Sequence, residues 1–484
     1  MPFPDVMHLL AVGRLPEDLD RLARRYAPIL RFDALEPFFP SAAGVTVFDR
    51  PAPSPSFPRE IPFDEDTARV IEYAIWWDWD IQHLYELEHI WVFIAWDGSI
   101  CRVDASWHGD YHTMLDEDRI PMENGRPMVW SEPGKHAFAP SPRVLEARRE
   151  RTIRSCGRWA GAAGVLETAL FRGRIPARSP QADRLVHTWL ERRAFVPRFE
   201  FIQRFDLRWI PLVRWEALEN WIPQRVAGWI AQLDQDIPPH ERRFLRVGHR
   251  GASAYAPENT LTAFRRAIEL GADAVELDVR LSADGVPVVI HDAELLQSGG
   301  NKRRVRDLTV GELQSVDVGG GEHIPTLAEV IDALRGEVAL YIELKDENTP
   351  AAVLDVLREK DYLGWCFLGS FRPDLVAEVK RLEPNARTAI LFKDVTVDPV
   401  SLARSCQADY VHPCWERASD HPSAFLSPEW VQRVRDAGLG LIIWHEERPE
   451  EIAALRRLGV DAICSDRPDL LRESAPEELA GEVA

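Results

Sequence analysis

The chain has 484 residues, 45% hydrophobic and 28% charged, which allows two or three domains and excludes a wholly disordered or fibrous protein. Its 58 basic and 78 acidic residues leave a formal charge of −20. Such a field repels phosphodiester polymers, so nucleic acid is excluded as the main partner, while a small phosphate ester needs only a local positive cluster.

Six cysteines without a CxxC pair make neither a disulfide framework nor a zinc ribbon. No run approaches the 18 apolar residues of a membrane span, and MPFPDVMHLLAVGRLPEDLDRL lacks a basic leader followed by a long apolar run. The expectation is a cytoplasmic protein.

Thirteen of the 17 tryptophans lie between Trp76 and Trp229. That skew marks residues 1–235 as a Trp-rich domain of unassigned role. Residues 25–140 read as its β core, from runs such as VIEYAIWWDWD and HIWVFIAW. Residues 142–235 read as helical, broken by Pro176, Pro180, Pro197, Pro211 and Pro223. Asp78, Asp80, His83, Glu86, Glu88 and His89 crowd one stretch, followed by His108, His112 and His136. They read either as a second cation site or as exposed polar positions alternating with a Trp-rich core. Trp189, Trp209, Trp215, Trp221 and Trp229 stand among arginines. Packing against a neighbouring domain is favoured over contact with a membrane surface.

Residues 236–244, with Pro238 and Pro239, read as a linker. From 245 to 475 strand-like and helix-like segments alternate. Apolar runs at 245–248, 274–279, 339–344, 366–371, 388–392, 409–412, 440–444 and 461–464 are separated by amphipathic stretches. Eight such units fit a closed (β/α)₈ barrel. The run at 286–292 follows the second strand too closely for a crossover helix. It therefore opens an insertion over 282–322, Gly-rich at 298–300 and 319–321. Residues 476–484 form an acidic tail.

In such a barrel the chemistry sits at the C-terminal strand ends. There the chain places His249-Arg250-Gly251, Glu276-Leu277-Asp278, Glu343-Leu344-Lys345 and Trp444-His445, with His291-Asp292 ending the insertion segment. Residues two apart in a strand share a face, so Glu276 and Asp278 point together, as do Glu343 and Lys345. Three converging carboxylates repel one another unless a hard cation such as Mg²⁺ or Ca²⁺ joins them. Two histidines can move protons near neutral pH, and Arg250 and Lys345 can hold phosphate oxygens. The set describes a metal-assisted phosphodiester hydrolase. Taken singly, each residue also fits a structural role.

The stretches RVGHRGASAYAPENTLTAF, ADAVELDVRLSADGVPVVIHD, IPTLAEV, YIELK, GSF, WHEERP and GVDAICSDRPDLL run in the order of the glycerophosphodiester phosphodiesterase family. Residues 246–470 resemble that family. The resemblance implies His249 and His291 as the catalytic pair; His249 as base and His291 as acid is the assignment favoured here. It implies Glu276, Asp278 and Glu343 as metal ligands, Arg250 and Lys345 as phosphate binders, and Trp444 as a wall of the substrate mouth. Glu258 and Asn259 support the site, and Asn259 is expected to cap the first barrel helix.

Two departures stand out. Lys302, Arg303, Arg304 and Arg306 fill the insertion, and His445 and Glu446 follow Trp444; both are expected to alter substrate preference. The basic run also reads as a solvated loop. Hydrolysis of a small glycerophosphodiester to glycerol 3-phosphate and an alcohol is the expected reaction, with water or the glycerol 2-hydroxyl as nucleophile. Phospholipase D-like cleavage of a lysophospholipid and a non-catalytic phosphate-binding module are the alternatives. The sequence leaves oligomeric state open. The segments YAPILRF, ELEHIWVFI, WHGDYH and SEPGKHA in the first half resemble β-sandwich domains related to vacuolar-sorting and necrosis-inducing proteins.

Overall fold

The computed structural model describes residues 5–175, 179–238, 241–296 and 302–472. Pro176, Pro239, the 298–300 stretch and the 476–484 tail lie outside the described residues. The chain divides into two compact units on either side of residue 238, residues 179–181 counting with the second.

The first unit is mixed sheet and helix. Its main sheet runs in the order Leu212–Arg214, Ala42–Phe48, Thr67–Trp79, His83–Ala95, Ile100–Trp107 and Asp110–Thr113. A second sheet orders Phe138–Ala139, Arg126–Ser131, Ile29–Phe32 and Gln203–Asp206. Aromatic and β-branched residues favour these strands, and Trp76, Trp77 and Trp91 are fully buried among them.

The helical reading of 142–235 is corrected. Helices occupy Pro142–Glu146, Arg149–Cys156, Pro180–Glu191 and Trp215–Asp236, while Gln203–Asp206 and Leu212–Arg214 are strands. Their partners are Ile29–Phe32 and Ala42–Phe48, more than 150 residues away, so no local periodicity marks them. Pro223 does not break a helix; it lies inside Trp215–Asp236. Proline cannot donate to the carbonyl four residues earlier. That carbonyl, of Glu219, accepts instead from Arg174 Nη2 at 3.5 Å.

The second unit is a closed barrel of eight parallel strands. They are Leu245–Gly248, Ala274–Leu281, Ala339–Leu344, Cys366–Ser370, Arg387–Phe392, Tyr410–Pro413, Gly440–Ile443 and Ala462–Ser465. The eighth pairs with the first, Leu245 opposite Ala462, and closes the ring. The 286–292 run yields Pro287–Val289, antiparallel to the second strand with Val289 opposite Val279. It is an inserted strand outside the barrel count.

Alternation along each strand decides what faces inward. Val247, Ala274, Tyr341, Phe367, Tyr410 and Ile442 pack as one cluster in the barrel interior. Glu276 and Asp278 share the parity of Ala274, and Glu343 that of Tyr341, so the carboxylates project into the same interior. Leu277, Ile342 and Leu368, of the other parity, pack in a separate cluster with helix residues such as Val330 and Leu354. No helix of the described residues is long and apolar enough to cross a membrane.

Candidate active site

Asp278 stands opposite Glu343 in the register of the second and third strands. Ligand oxygens of Glu276, Asp278 and Glu343 lie within 4.8 Å of one another, and all three residues are buried. Buried carboxylates so close resist ionising together. Burial, then the charges of Asp278 and Glu343, push the Glu276 carboxyl well above its ordinary range. Burial also raises Glu343. It opposes ionisation of Asp278 too, but there Lys345 and Arg250 prevail and hold the carboxyl down.

Lys345 Nζ lies 2.8 Å from Asp278 Oδ1 and 2.6 Å from Glu343 Oε1. Arg250 Nη1 donates to both Glu258 oxygens at 2.9 Å, and its Nε is 3.3 Å from Asp278 Oδ2. The two positive arms therefore stand among the carboxylates. Glu276 Oε1 and Glu343 Oε2 remain buried with no hydrogen-bond partner. Such bare oxygens are costly unless a cation meets them, so the donor set fits a hard divalent ion.

The loop after the first strand is a strained turn. Arg250 has φ +52° and Gly251 φ +86°. A Cβ on Gly251 would sit 2.6 Å from the Ala263 carbonyl carbon, so only glycine lets the loop approach the helix this closely. The Arg250 N–H donates to Glu276 Oε2 at 2.9 Å, which ties the turn to the carboxylates.

The expected helix cap at Asn259 is corrected. Thr260 caps Leu261–Glu269, accepting from the Ala263 N–H. Asn259 adopts φ +59° and turns its amide onto Asp278. Asparagine tolerates this left-handed backbone, and its side chain is free for the carboxylate.

His249 is buried. Its Nδ1 donates to Asp466 Oδ1 at 2.6 Å, while its Nε2 is buried without a partner. Burial lowers the His249 pKa, against the pull of Asp466. His291 follows the inserted strand and is 37% exposed at the side chain, with Nδ1 2.9 Å from Asp292. The Ile290 N–H donates to the Asp278 carbonyl at 2.8 Å and anchors this segment to the second strand. Trp444 is nearly buried, in a T-shaped contact with His249, ring centroids 4.6 Å apart.

Sequence reasoning missed Asp466, His412 and Tyr341. Asp466 follows the eighth strand directly, and the strand-end rule that selected Glu343 would have found it. His412 Nδ1 lies 2.6 Å from the Tyr341 hydroxyl. Complete burial holds that histidine well below its ordinary pKa. Glu446 is buried and paired with Arg448, with Nε at 2.7 Å, which separates it from His445. Lys302 and Arg303 are exposed, near Glu294 at 3.6 Å and Glu312 at 3.1 Å.

In the first unit the acidic and histidine cluster is dispersed and largely buried. Asp78 is held by Arg225 at 2.8 and 2.9 Å. His89 meets Ser56 at 3.0 Å, His108 meets Glu132 at 2.6 Å, and His136 lies 3.4 Å from Glu36. Glu88 accepts from Ser106, and His112 packs against Trp107. Asp80, His83 and Glu86 stay together, with Lys135 at 2.7 Å from Asp80.

The closed parallel barrel carries its buried carboxylates and a histidine at the strand ends, where active sites of this fold lie. The sequence profile of the glycerophosphoryl diester phosphodiesterase family matches residues 249–470. The glycerophosphodiester phosphodiesterase of Caldanaerobacter subterraneus subsp. tengcongensis is 32% identical over 47% of this chain and 96% of its own length. A putative glycerophosphodiester phosphodiesterase of Bacillus subtilis is 31% identical over 48% of this chain and 98% of its own. A glycerophosphodiester phosphodiesterase crystal structure from Agrobacterium tumefaciens is 31% identical, with a TM-score of 0.42, covering 46% of this chain and 97% of that one. The chain belongs to the glycerophosphodiester phosphodiesterase family and is a phosphoric diester hydrolase.

Proposed function

We propose that the barrel hydrolyses glycerophosphodiesters to glycerol 3-phosphate and an alcohol in a metal-dependent reaction with histidine acid–base catalysis. The observation that carries this reading is the trio Glu276, Asp278 and Glu343, whose ligand oxygens gather within 4.8 Å. Bare Glu276 and Glu343 oxygens complete it. These three would hold one divalent cation, and an all-oxygen set suits Mg²⁺ or Ca²⁺. When bound, that ion supplies Lewis-acid polarisation of the phosphoryl oxygens.

The chain's own groups do the rest. Arg250 and Lys345 exchange carboxylate partners for phosphate oxygens, and Trp444 walls the mouth beside His249. His249, kept neutral by burial, accepts the nucleophile's proton at Nε2. His291, the more exposed imidazole, donates to the leaving alcohol. Such proton transfers contribute roughly 10²- to 10⁴-fold each.

The test is product identity. The full chain is incubated with glycerophosphocholine beside His249→Ala. Equal amounts of glycerol 3-phosphate and choline, absent with the variant, support the reading. Phosphocholine and glycerol would place the broken bond on the other side of phosphorus and overturn it. Turnover of lysophosphatidylcholine alone would move the substrate to lysophospholipids.

A further inference from the structure

His249 does not stand alone at the mouth. Its Nδ1 donates to Asp466 Oδ1 at 2.6 Å, and Ser253 Oγ donates to the same oxygen at 2.7 Å. The ring of His445 stacks on His249, centroids 4.9 Å apart and planes within 9°. His445 Nδ1 is 3.1 Å from Glu447 Oε2. Glu447 Oε1 in turn accepts from the Asp466 N–H at 2.9 Å and from Ser465 Oγ at 3.1 Å. Two carboxylates joined through one backbone amide thus hold two parallel imidazoles.

We propose that Asp466 is a positioning residue for His249, and that the His445–Glu447 pair is a second positioning element that clamps the ring's face. This rests on His249 as the catalytic base. An ionised carboxylate only accepts, so Asp466 fixes the tautomer with the proton on Nδ1 and the lone pair on Nε2. That Nε2 has no protein partner. The stacked His445 and the T-shaped contact with Trp444, ring centroids 4.6 Å apart, confine the ring to this pose. Burial opposes charge on both Asp466 and His445. The His249 hydrogen bond nonetheless brings the Asp466 carboxyl down to about 2, and the Glu447 hydrogen bond raises His445.

The charged and titratable groups around His249 are Asp466 from the eighth strand end, Arg250 beside it, His445 from the seventh strand end, and His412 from the sixth. They act in opposite directions. Asp466 favours the imidazolium, whereas His445 and Arg250 disfavour it.

The experiment compares Asp466→Asn, Asp466→Glu and His445→Asn with wild type, reading kcat, KM and the acid limb of kcat/KM. For Asp466→Asn, kcat falls about 10²- to 10⁴-fold with KM nearly unchanged, as loss of an orienting carboxylate does elsewhere. Its acid limb moves to lower pH, and Asp466→Glu recovers part of kcat. His445→Asn moves the limb to higher pH and supplies the test by itself if the Asp466 variants do not fold. Unmoved limbs, or Asp466→Asn with wild-type kcat, overturn the proposal while His249→Ala remains inactive. An active His249→Ala would instead overturn the underlying assignment of the base.

Discussion

Asn259 grips Asp278 by both ends of its amide: Nδ2 donates to Oδ2 at 2.9 Å, and Oδ1 accepts from the Asp278 backbone N–H at 3.2 Å. Removing such an outer partner of a metal-binding carboxylate costs roughly 10- to 100-fold in metal affinity or activity. Asn259→Ala is therefore expected to need about 10- to 100-fold more cation for half-maximal hydrolysis. Titrating activity against free Mg²⁺ and Ca²⁺ checks this, and an unchanged midpoint would separate Asn259 from cation binding.

Lys345 neutralises two buried carboxylates at once, Asp278 at 2.8 Å and Glu343 at 2.6 Å. Breaking a buried pair from one side leaves uncompensated charge, at a cost of about 3–5 kcal/mol. Lys345→Met is expected to lose about that much stability in chelator, and to regain part of it when a divalent cation is added. Denaturant unfolding with and without Mg²⁺ measures both effects. Equal losses in the two conditions would show that no cation takes over the lysine's electrostatic role.

His89 gives the first unit its own pH dependence. Burial drives its pKa from 6.5 to about 3, against a hydrogen bond with Ser56. Between those values the unfolded chain binds a proton that the folded chain does not. The His89 contribution is thus fully present above pH 6.5 and is lost as pH falls toward 3. The slope is up to about 1.4 kcal/mol per pH unit. His89→Gln is expected to flatten the decline in thermal stability over this interval. A wild-type decline unaltered by the substitution would place its origin elsewhere.

Much of the barrel is legible in the sequence because each strand is a short apolar run ended by a polar group. The structure brings Glu276, Asp278, Glu343 and Lys345 together, a grouping that period-two alternation makes legible from local residues alone. The failures share a physical cause: each depends on a partner that the local pattern does not contain. Asp78 reads as part of a cation site or as an exposed position until Arg225, 147 residues later, closes on it. Gln203–Asp206 carries no strand signal of its own and is fixed by Ile29–Phe32. Pro223 reads as a helix breaker, yet Arg174 takes the carbonyl it frees. Asn259 reads as a helix cap, yet Asp278, 19 residues later, takes its amide.

The most direct test is glycerol 3-phosphate release from glycerophosphocholine by the chelator-treated full chain, before and after Mg²⁺ or Ca²⁺ is restored, beside Glu343→Gln. Release is expected to vanish with chelator, to return with one of the two cations, and to stay absent in the variant. Undiminished release in chelator, or a fully active Glu343→Gln, would contradict a metal-dependent reaction at the carboxylate trio.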